Sequence, residues 1–350
     1  MSEMKVRTRR YAVGLGMAVC IGMTSAALTF TGCGQADSHT GITDNKDSVS
    51  DTGNSIDSQN NGSSQIVNKY TFTDTGYAYK DEDYQVPADL VETKDNVEYG
   101  TINDRIKYYS STIGEEKECG VLLPAGYNEQ TEYPVVYILH GNGGDHYDWN
   151  RDDSYLKALC GNMVADGSAV PAIVVMVDMW TAPKAEKEGT TIDRQLDAYD
   201  EFYKDLENDL MPFMEQNYSV ATGRDATAIV GTSMGGTETL VAGFKLIDKI
   251  GFIGALAPCS GVIPIPDYGE GAWNTPVLED FSIADKANTP YYLQLTIGDK
   301  DPWCYDSTLV YDRALTEEGI QHTLTVVEGL GHEDALWQNG LYNFFKRIFR

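Results

Sequence analysis

The stretch IVGTSMGGTETL, residues 229–240, sets Ser233 among Gly231, Gly235 and Gly236 directly after an apolar run. Glycine permits positive φ and close backbone approach, so such a turn can serve packing, cradle a phosphate or mount a nucleophile. A Walker-type phosphate loop would need a lysine after the glycines, and none follows. A dinucleotide fingerprint would need G-x-G-x-x-G spacing near the first strand, which is also missing. A nucleophilic serine needs a base to take its proton and an acid to orient that base. The chain has five histidines, His39, His140, His146, His322 and His332, and only the last two follow Ser233. His322 opens an apolar run of strand length, where an edge histidine is the ordinary reading. His332 lies in EGLGHEDALW, a glycine-flanked loop, and is the expected base. Upstream of it, LQLTIGDKDPW offers two carboxylates, Asp299 and Asp301. Asp299 directly follows a glycine and suits a turn cap; Asp301, three residues past it, is the expected acid.

A tetrahedral intermediate also needs donors for its oxyanion. HGNGG at 140–144 follows an apolar run, and its glycines let the backbone turn N–H groups inward. The N–H groups of Asn142 and of Met234, just after the serine, are the expected pair, with His140 read as a structural pin for the loop. This chemistry calls for no cofactor and no metal.

These residues need a frame. VVYIL (135–139), AIVVMV (172–177), ATAIV (226–230), FIGALA (252–257), YYLQLTI (291–297) and TLTVV (323–327) read as strands. Their unbroken hydrophobicity suits burial on both faces. Helical periodicity lies between them, at about 153–164, 192–217, 234–247, 306–318 and 334–349. In 192–217, Leu196, Tyr199, Phe202, Leu206, Leu210, Phe213 and Met214 recur at three- or four-residue spacing, predicting one long helix. RIKYYSST and KECGVLL read as antiparallel edge strands. Strand–helix alternation predicts an α/β fold, a mostly parallel central sheet with helices on both faces. Ser233 then falls between a strand and a helix, the setting of a nucleophile elbow, with acid and base following in that order.

The 350 residues, 42% hydrophobic, supply one large core. Lys5, Arg7, Arg9 and Arg10 precede an apolar run that ends in TGC at Cys33. That order resembles a bacterial lipoprotein signal over 1–33, with Cys33 lipidated. Residues 34–66 are mostly Ser, Thr, Asn, Asp, Gly and Gln and read as a disordered linker, spanning roughly 30 Å as a flexible coil. The folded domain is expected over 67–350, outside the cytoplasm, with membrane contact only through the N-terminal lipid. Beyond the signal the chain carries 22 basic against 52 acidic residues, a charge near −30. Such a surface repels nucleic acid, which is excluded as a partner. Cys119, Cys160, Cys259 and Cys304 show no metal-ligand spacing, and their pairing stays open.

Taken together, EYPVVYILHGNGGDHYDW, GTSMGG, GDKD and GLGHEDALW resemble the esterase D-type branch of the α/β-hydrolases. They are most similar to the feruloyl and acetylxylan esterases of carbohydrate esterase family one. The similarity runs over about 95–350 and includes SSTIGEEKECGVLLPAGY, which resembles that family's leading hairpin. It implies Ser233 as nucleophile, Asp301 and His332 as its partners, and Asn142 and Met234 as oxyanion donors. It also implies acylated polysaccharide or oligosaccharide and small phenolic esters as substrates. Trp149, Trp180, Trp303 and Trp337 flank the motifs and are expected to bind acyl or sugar rings. MWTAPKAEKEGTT (179–191) departs from the family pattern and is expected as a rim over the site. An acyltransferase of the same fold and a catalytically silent carbohydrate-binding relative are the alternatives; intact triad residues argue against the second.

Overall fold

The computed structural model describes residues 85–151, 154–187, 189–265 and 276–350; the expected signal (1–33) and linker (34–66) lie outside them. Each apolar run becomes a strand. The eight are β1 (Thr101–Ser110), β2 (Glu115–Leu123), β3 (Val135–Leu139), β4 (Ile173–Val177), β5 (Thr227–Thr232), β6 (Phe252–Leu256), β7 (Tyr292–Gly298) and β8 (Thr323–Val327). They form one sheet in the order β1-β2-β4-β3-β5-β6-β7-β8. The β1–β2 hairpin joins β4 antiparallel, and every other pairing is parallel.

The side chains of β3, β4, β5 and β6 are buried throughout, because alternate residues enter two separate cores. Val135, Tyr137 and Leu139 point into one, and Val136 and Ile138 into the other. The first core is covered by α5 (Met234–Lys245) through Leu240 and Val241, and by α6 (Tyr305–Glu317) through Tyr311 and Leu315. The second is covered by α1 (Leu156–Ala165) through Leu159 and Met163, and by α7 (Asp334–Phe345) through Leu341 and Phe344. This is the expected α/β arrangement with helices on both faces.

The long helix expected over 192–217 is instead a broken series. It comprises α2 (Ile192–Asp197), α3 (Phe202–Asp205), a π turn (Leu206–Leu210) and α4 (Met211–Asn217). Pro212 explains the π turn. It has no N–H to return and its ring crowds the preceding turn, so Met211 N–H reaches back five residues to Leu206 O. Asp205, at the end of α3, is wholly buried and accepts from Lys117 Nζ (2.8 Å) and Tyr108 OH (2.7 Å). Lys117 also donates to the Asp178 carbonyl (2.8 Å) at the end of β4. The pair thereby fastens the hairpin and the broken helix to the sheet; removing either charge alone would leave the other buried and uncompensated.

Glu238, one turn into α5, is buried and its Oε2 has no hydrogen-bond partner among the described residues. Burial, with the nearby Asp200 charge adding, pushes this carboxyl well above the usual range. As pH rises past about 4.3, the unfolded chain releases this proton while the folded state keeps it, so stability falls by about 1.4 kcal/mol per pH unit until the folded-state group also ionises. Glu238→Gln keeps the shape and removes the titration. Its melting temperature is expected to exceed the parent's at pH 7–8, with the gain shrinking toward pH 4–5 in calorimetry. A gain independent of pH would contradict this account.

Candidate active site

The chain leaves β5 at Thr232 and enters α5 at Met234, so Ser233 alone makes the reversal. It does so at φ 57° and ψ −122°, a left-handed backbone that costs a non-glycine residue of order 1–3 kcal/mol. The turn is held by Ser233 N–H donating to Leu256 O (2.8 Å) and Thr237 N–H donating to Ser233 O (3.1 Å). A Cβ on Gly235 would lie 2.7 Å from Leu139 O, and one on Gly231 2.8 Å from Leu139 Cβ. Only glycine lets the first turn of α5 sit this close to β3.

His332, in the loop between β8 and α7, places Nε2 2.8 Å from Ser233 Oγ and Nδ1 2.6 Å from Asp301 Oδ2. The other Asp301 oxygen accepts the N–H groups of Trp303 and Cys304, both at 2.9 Å. Burial by itself would raise the Asp301 carboxyl, but the bonds from His332, Cys304 and Trp303 outweigh it and hold the group below its ordinary value. A carboxyl depressed in the folded state stabilises the fold above its unfolded value, and that contribution is lost as pH falls below about 4. Asp299 takes the other role expected of it. Its Oδ1 accepts Gly329 N–H at 2.6 Å and its Oδ2 pairs with Lys300, closing the turn before the histidine loop. His322 lies elsewhere, bonded to Asp312.

The HGNGG loop lies against the elbow: a Cβ on Gly141 would be 3.6 Å from Ser233 Cβ. His140 is fully buried; its Nε2 accepts Met179 N–H (3.1 Å), so Nδ1 carries the proton and donates to Gly141 O (2.7 Å). It pins the loop to the end of β4, as expected. Gly143 N–H is held by Tyr199 OH (3.3 Å), which also accepts from Gln195 Nε2 (3.0 Å). Asn142 is exposed and lines the cavity above Ser233. Met234 opens α5, where N–H groups have no partner within the helix.

The cavity measures about 1040 Å³. Ser233 and His332 line it, together with Trp149, Tyr155, Trp303 and Trp337. Trp303 and Trp337 present their rings edge-on to His332 at 5.1 and 4.9 Å. Trp149 and Trp337 are largely buried, whereas Trp303 is 64% exposed. Trp180 corrects an expectation. Its N–H bonds to Asp178 Oδ1, and its ring turns into the core against Tyr199, 2% exposed and away from the cavity. The expected rim of residues 179–191 is corrected with it, because none of its described residues lines the cavity. Thr181 bonds to Ala198 O, Lys187 pairs with Asp178, and the segment packs across the end of β4.

Two contributors escaped the sequence reading. Tyr155, just before α1, is one; its signal is its place in an aromatic-containing loop after HGNGG. The other is a disulfide between Cys259 and Cys304, which leaves Cys119 and Cys160 free. Cys259 follows β6, the strand beside β5, and its Sγ lies 3.7 Å from Ser233 Oγ.

The profile of the Esterase family, described as "Putative esterase", matches residues 110–343. The chain belongs to this esterase family. It is a carboxylic ester hydrolase with an α/β-hydrolase fold. The esterase is 31% identical to a CE1 ferulic acid esterase from the fungus Anaeromyces mucronatus, with a TM-score of 0.69, covering 76% of this chain and 97% of that one. The structure of that fungal enzyme in complex with ferulic acid matches at 30% identity and a TM-score of 0.65, with the same shares covered. An endo-1,4-beta-xylanase/feruloyl esterase of Xylanibacter ruminicola is 26% identical over 280 residues. That alignment takes in 76% of this chain but only 34% of the relative, so the esterase spans about a third of that protein's length.

The geometry separates the two aspartates experimentally. Asp301→Asn is expected to lower kcat by about 10⁴, as loss of the carboxylate does where it sets the histidine tautomer. Asp299→Asn is expected to cost some thermal stability and less than about threefold in kcat, because its bonds reach only the turn. The reverse order in steady-state kinetics would make Asp299 the acid.

Proposed function

We propose that this esterase hydrolyses hydroxycinnamoyl esters, feruloyl above all, carried by plant cell-wall polysaccharide, through an acyl-enzyme on Ser233. The observation that carries the reading is the bonded chain Ser233–His332–Asp301 opening onto an aromatic-walled cavity. His332 Nε2 takes the serine proton as Oγ attacks the ester carbonyl, and Asp301 stabilises the imidazolium so formed. The N–H groups of Asn142 and Met234 receive the oxyanion. His332 then returns the proton to the departing sugar oxygen, and water repeats the sequence to release the acid.

The acyl assignment rests on the walls. Trp149, Tyr155 and Trp337 offer flat apolar surface that suits a planar phenolic group. Trp303, exposed at the mouth, offers a platform to a sugar ring. Likeness to a ferulic acid esterase solved with ferulic acid supports the same class of substrate. Placement outside the cytoplasm, with Cys33 lipidated and residues 34–66 as a tether, rests on the sequence. The Cys259–Cys304 disulfide supports it, since such bonds persist in oxidising compartments. A tether suits an insoluble polymer better than a diffusing metabolite.

Ser233→Ala is expected to fold as the parent does and to lose about 10⁵-fold or more in kcat on p-nitrophenyl acetate. Retained activity would remove the elbow from the mechanism. For the substrate, kcat/KM on methyl ferulate is expected to exceed that on an acetylated xylo-oligosaccharide by about tenfold or more, from burial of the aromatic acyl group. A clear preference for the acetyl ester would refute the hydroxycinnamoyl assignment and leave the serine esterase standing.

A further inference from the structure

We propose that the Cys259–Cys304 disulfide is a positioning device for Asp301, covalently fixing the acid's loop to the loop beside the nucleophile; this rests on the triad reading above. Cys304 stands at the end of the segment Asp301–Cys304 and donates its own N–H to Asp301 Oδ1 at 2.9 Å. Together with Trp303 N–H it forms the clamp that fixes one carboxylate oxygen, so that the other meets His332 Nδ1 at 2.6 Å. The far end of the bridge, Cys259, lines the cavity, with Sγ 3.7 Å from Ser233 Oγ. The bond therefore runs from the clamp on the acid to the side of the nucleophile, linking loops that follow β6 and β7.

Hydrogen bonds hold the same junction independently. Ser307 Oγ donates to Pro258 O (2.8 Å), while Tyr311 OH (2.7 Å) and Thr237 Oγ1 (3.1 Å) donate to Cys259 O. With the sulfur bridge opened, these bonds keep α6 docked on the β6 loop. What is lost is the covalent restraint on Cys304; its carbonyl still accepts Thr308 Oγ1 (2.7 Å), Thr308 N–H (3.1 Å) and Ser307 Oγ (3.1 Å), so the placement of its clamp N–H then rests on these bonds alone. A displacement of about 1 Å in a catalytic group can cost on the order of 100-fold in rate. The consequence falls on kcat, because the cavity walls that bind substrate stay in place. The two remaining described cysteines stand apart from this chemistry. Burial pushes the Cys119 thiol up to about 12, and the Cys160 thiol likewise up to about 12, so neither supplies a thiolate to attack the bridge at neutral pH.

The test couples the bridge to the acid. Cys259→Ala/Cys304→Ala is made in the parent and in the Asp301→Asn background, and kcat and KM on p-nitrophenyl acetate are measured well below each melting temperature. In the parent background kcat is expected to fall about 10- to 100-fold with KM within about twofold. In the Asp301→Asn background the same change is expected to cost less than about twofold, since the group being positioned no longer acts. An equal loss in both backgrounds, or no loss in the parent, would overturn the proposal and leave the triad intact. Activity surviving in Ser233→Ala would instead overturn the triad reading. Should the double variant not fold, the folded parent and Asp301→Asn enzymes are reduced with dithiothreitol. Two electrons and two protons from the dithiol convert the bridge to two thiols, and the reagent closes to its own disulfide. Alkylation of two further cysteines confirms the reduction. The same pair of ratios then decides, and the loss is expected to reverse on reoxidation.

Discussion

The contact on which the site depends is the approach of the first turn of α5 to the end of β3. Neither Gly231 nor Gly235 can carry a side chain there, because a Cβ would collide with Leu139. That closeness compels the sharp reversal at Ser233 and its positive φ, which aims the side chain out from the sheet edge instead of along it. The same closeness brings Gly141 against Ser233, so the HGNGG loop is adjacent to the serine side chain. Small residues at the elbow thus set two distances at once. They place Ser233 relative to the sheet and relative to the HGNGG loop.

The parallel sheet supplies the remainder. β3, β5, β6, β7 and β8 lie side by side with parallel neighbours, so the loops bearing Asn142, Ser233, Cys259, Asp301 and His332 all emerge at the carboxyl edge. Ligands bind at that edge in open sheets of this kind. No single loop carries the site. Each contributes one group, and the strand spacing sets how far apart those groups stand.

Burial of charge is handled differently in three places. Asp301 keeps its charge because two N–H groups and an imidazole surround it. Asp205 is compensated by Lys117 and Tyr108. Glu238 Oε2 has no partner among the described residues, and burial drives the carboxyl toward the neutral form. None of the three lines the cavity; the first stands behind His332, bonded to its Nδ1. The second fastens the hairpin and broken helix to the sheet, and the third sits on α5, the helix that follows Ser233.

Continuous apolar runs were sufficient to place the five inner strands β3 to β7, because a strand buried on both faces must be apolar along its whole length; the sixth run placed β8, a partly exposed edge strand. Ser233 and His332 were legible for a different reason: the glycines around the serine and the shortage of later histidines left little choice. Asp301 was preferred to Asp299 because its place three residues past Gly298 resembles the acid position of this architecture, and it is Asp301 that bonds His332. Other features depend on contacts between distant segments, which local pattern does not encode. The periodicity of 192–217 is real, yet a turn at 198–201 interrupts the helix and Pro212 accompanies a π turn at Leu206–Leu210, neither of which periodicity registers. Trp180 sits beside a strand end just as Trp149 follows the oxyanion loop, but one backbone bond to Asp178 turns it into the core. The pairing of Cys259 with Cys304 follows from β6 and β7 being neighbours, a fact of sheet order. The sequence by itself therefore determined the frame and named the residues that the frame brings together. Tertiary structure decided which aromatic rings line the cavity and which loops are joined, because those outcomes depend on side chains brought together from across the chain.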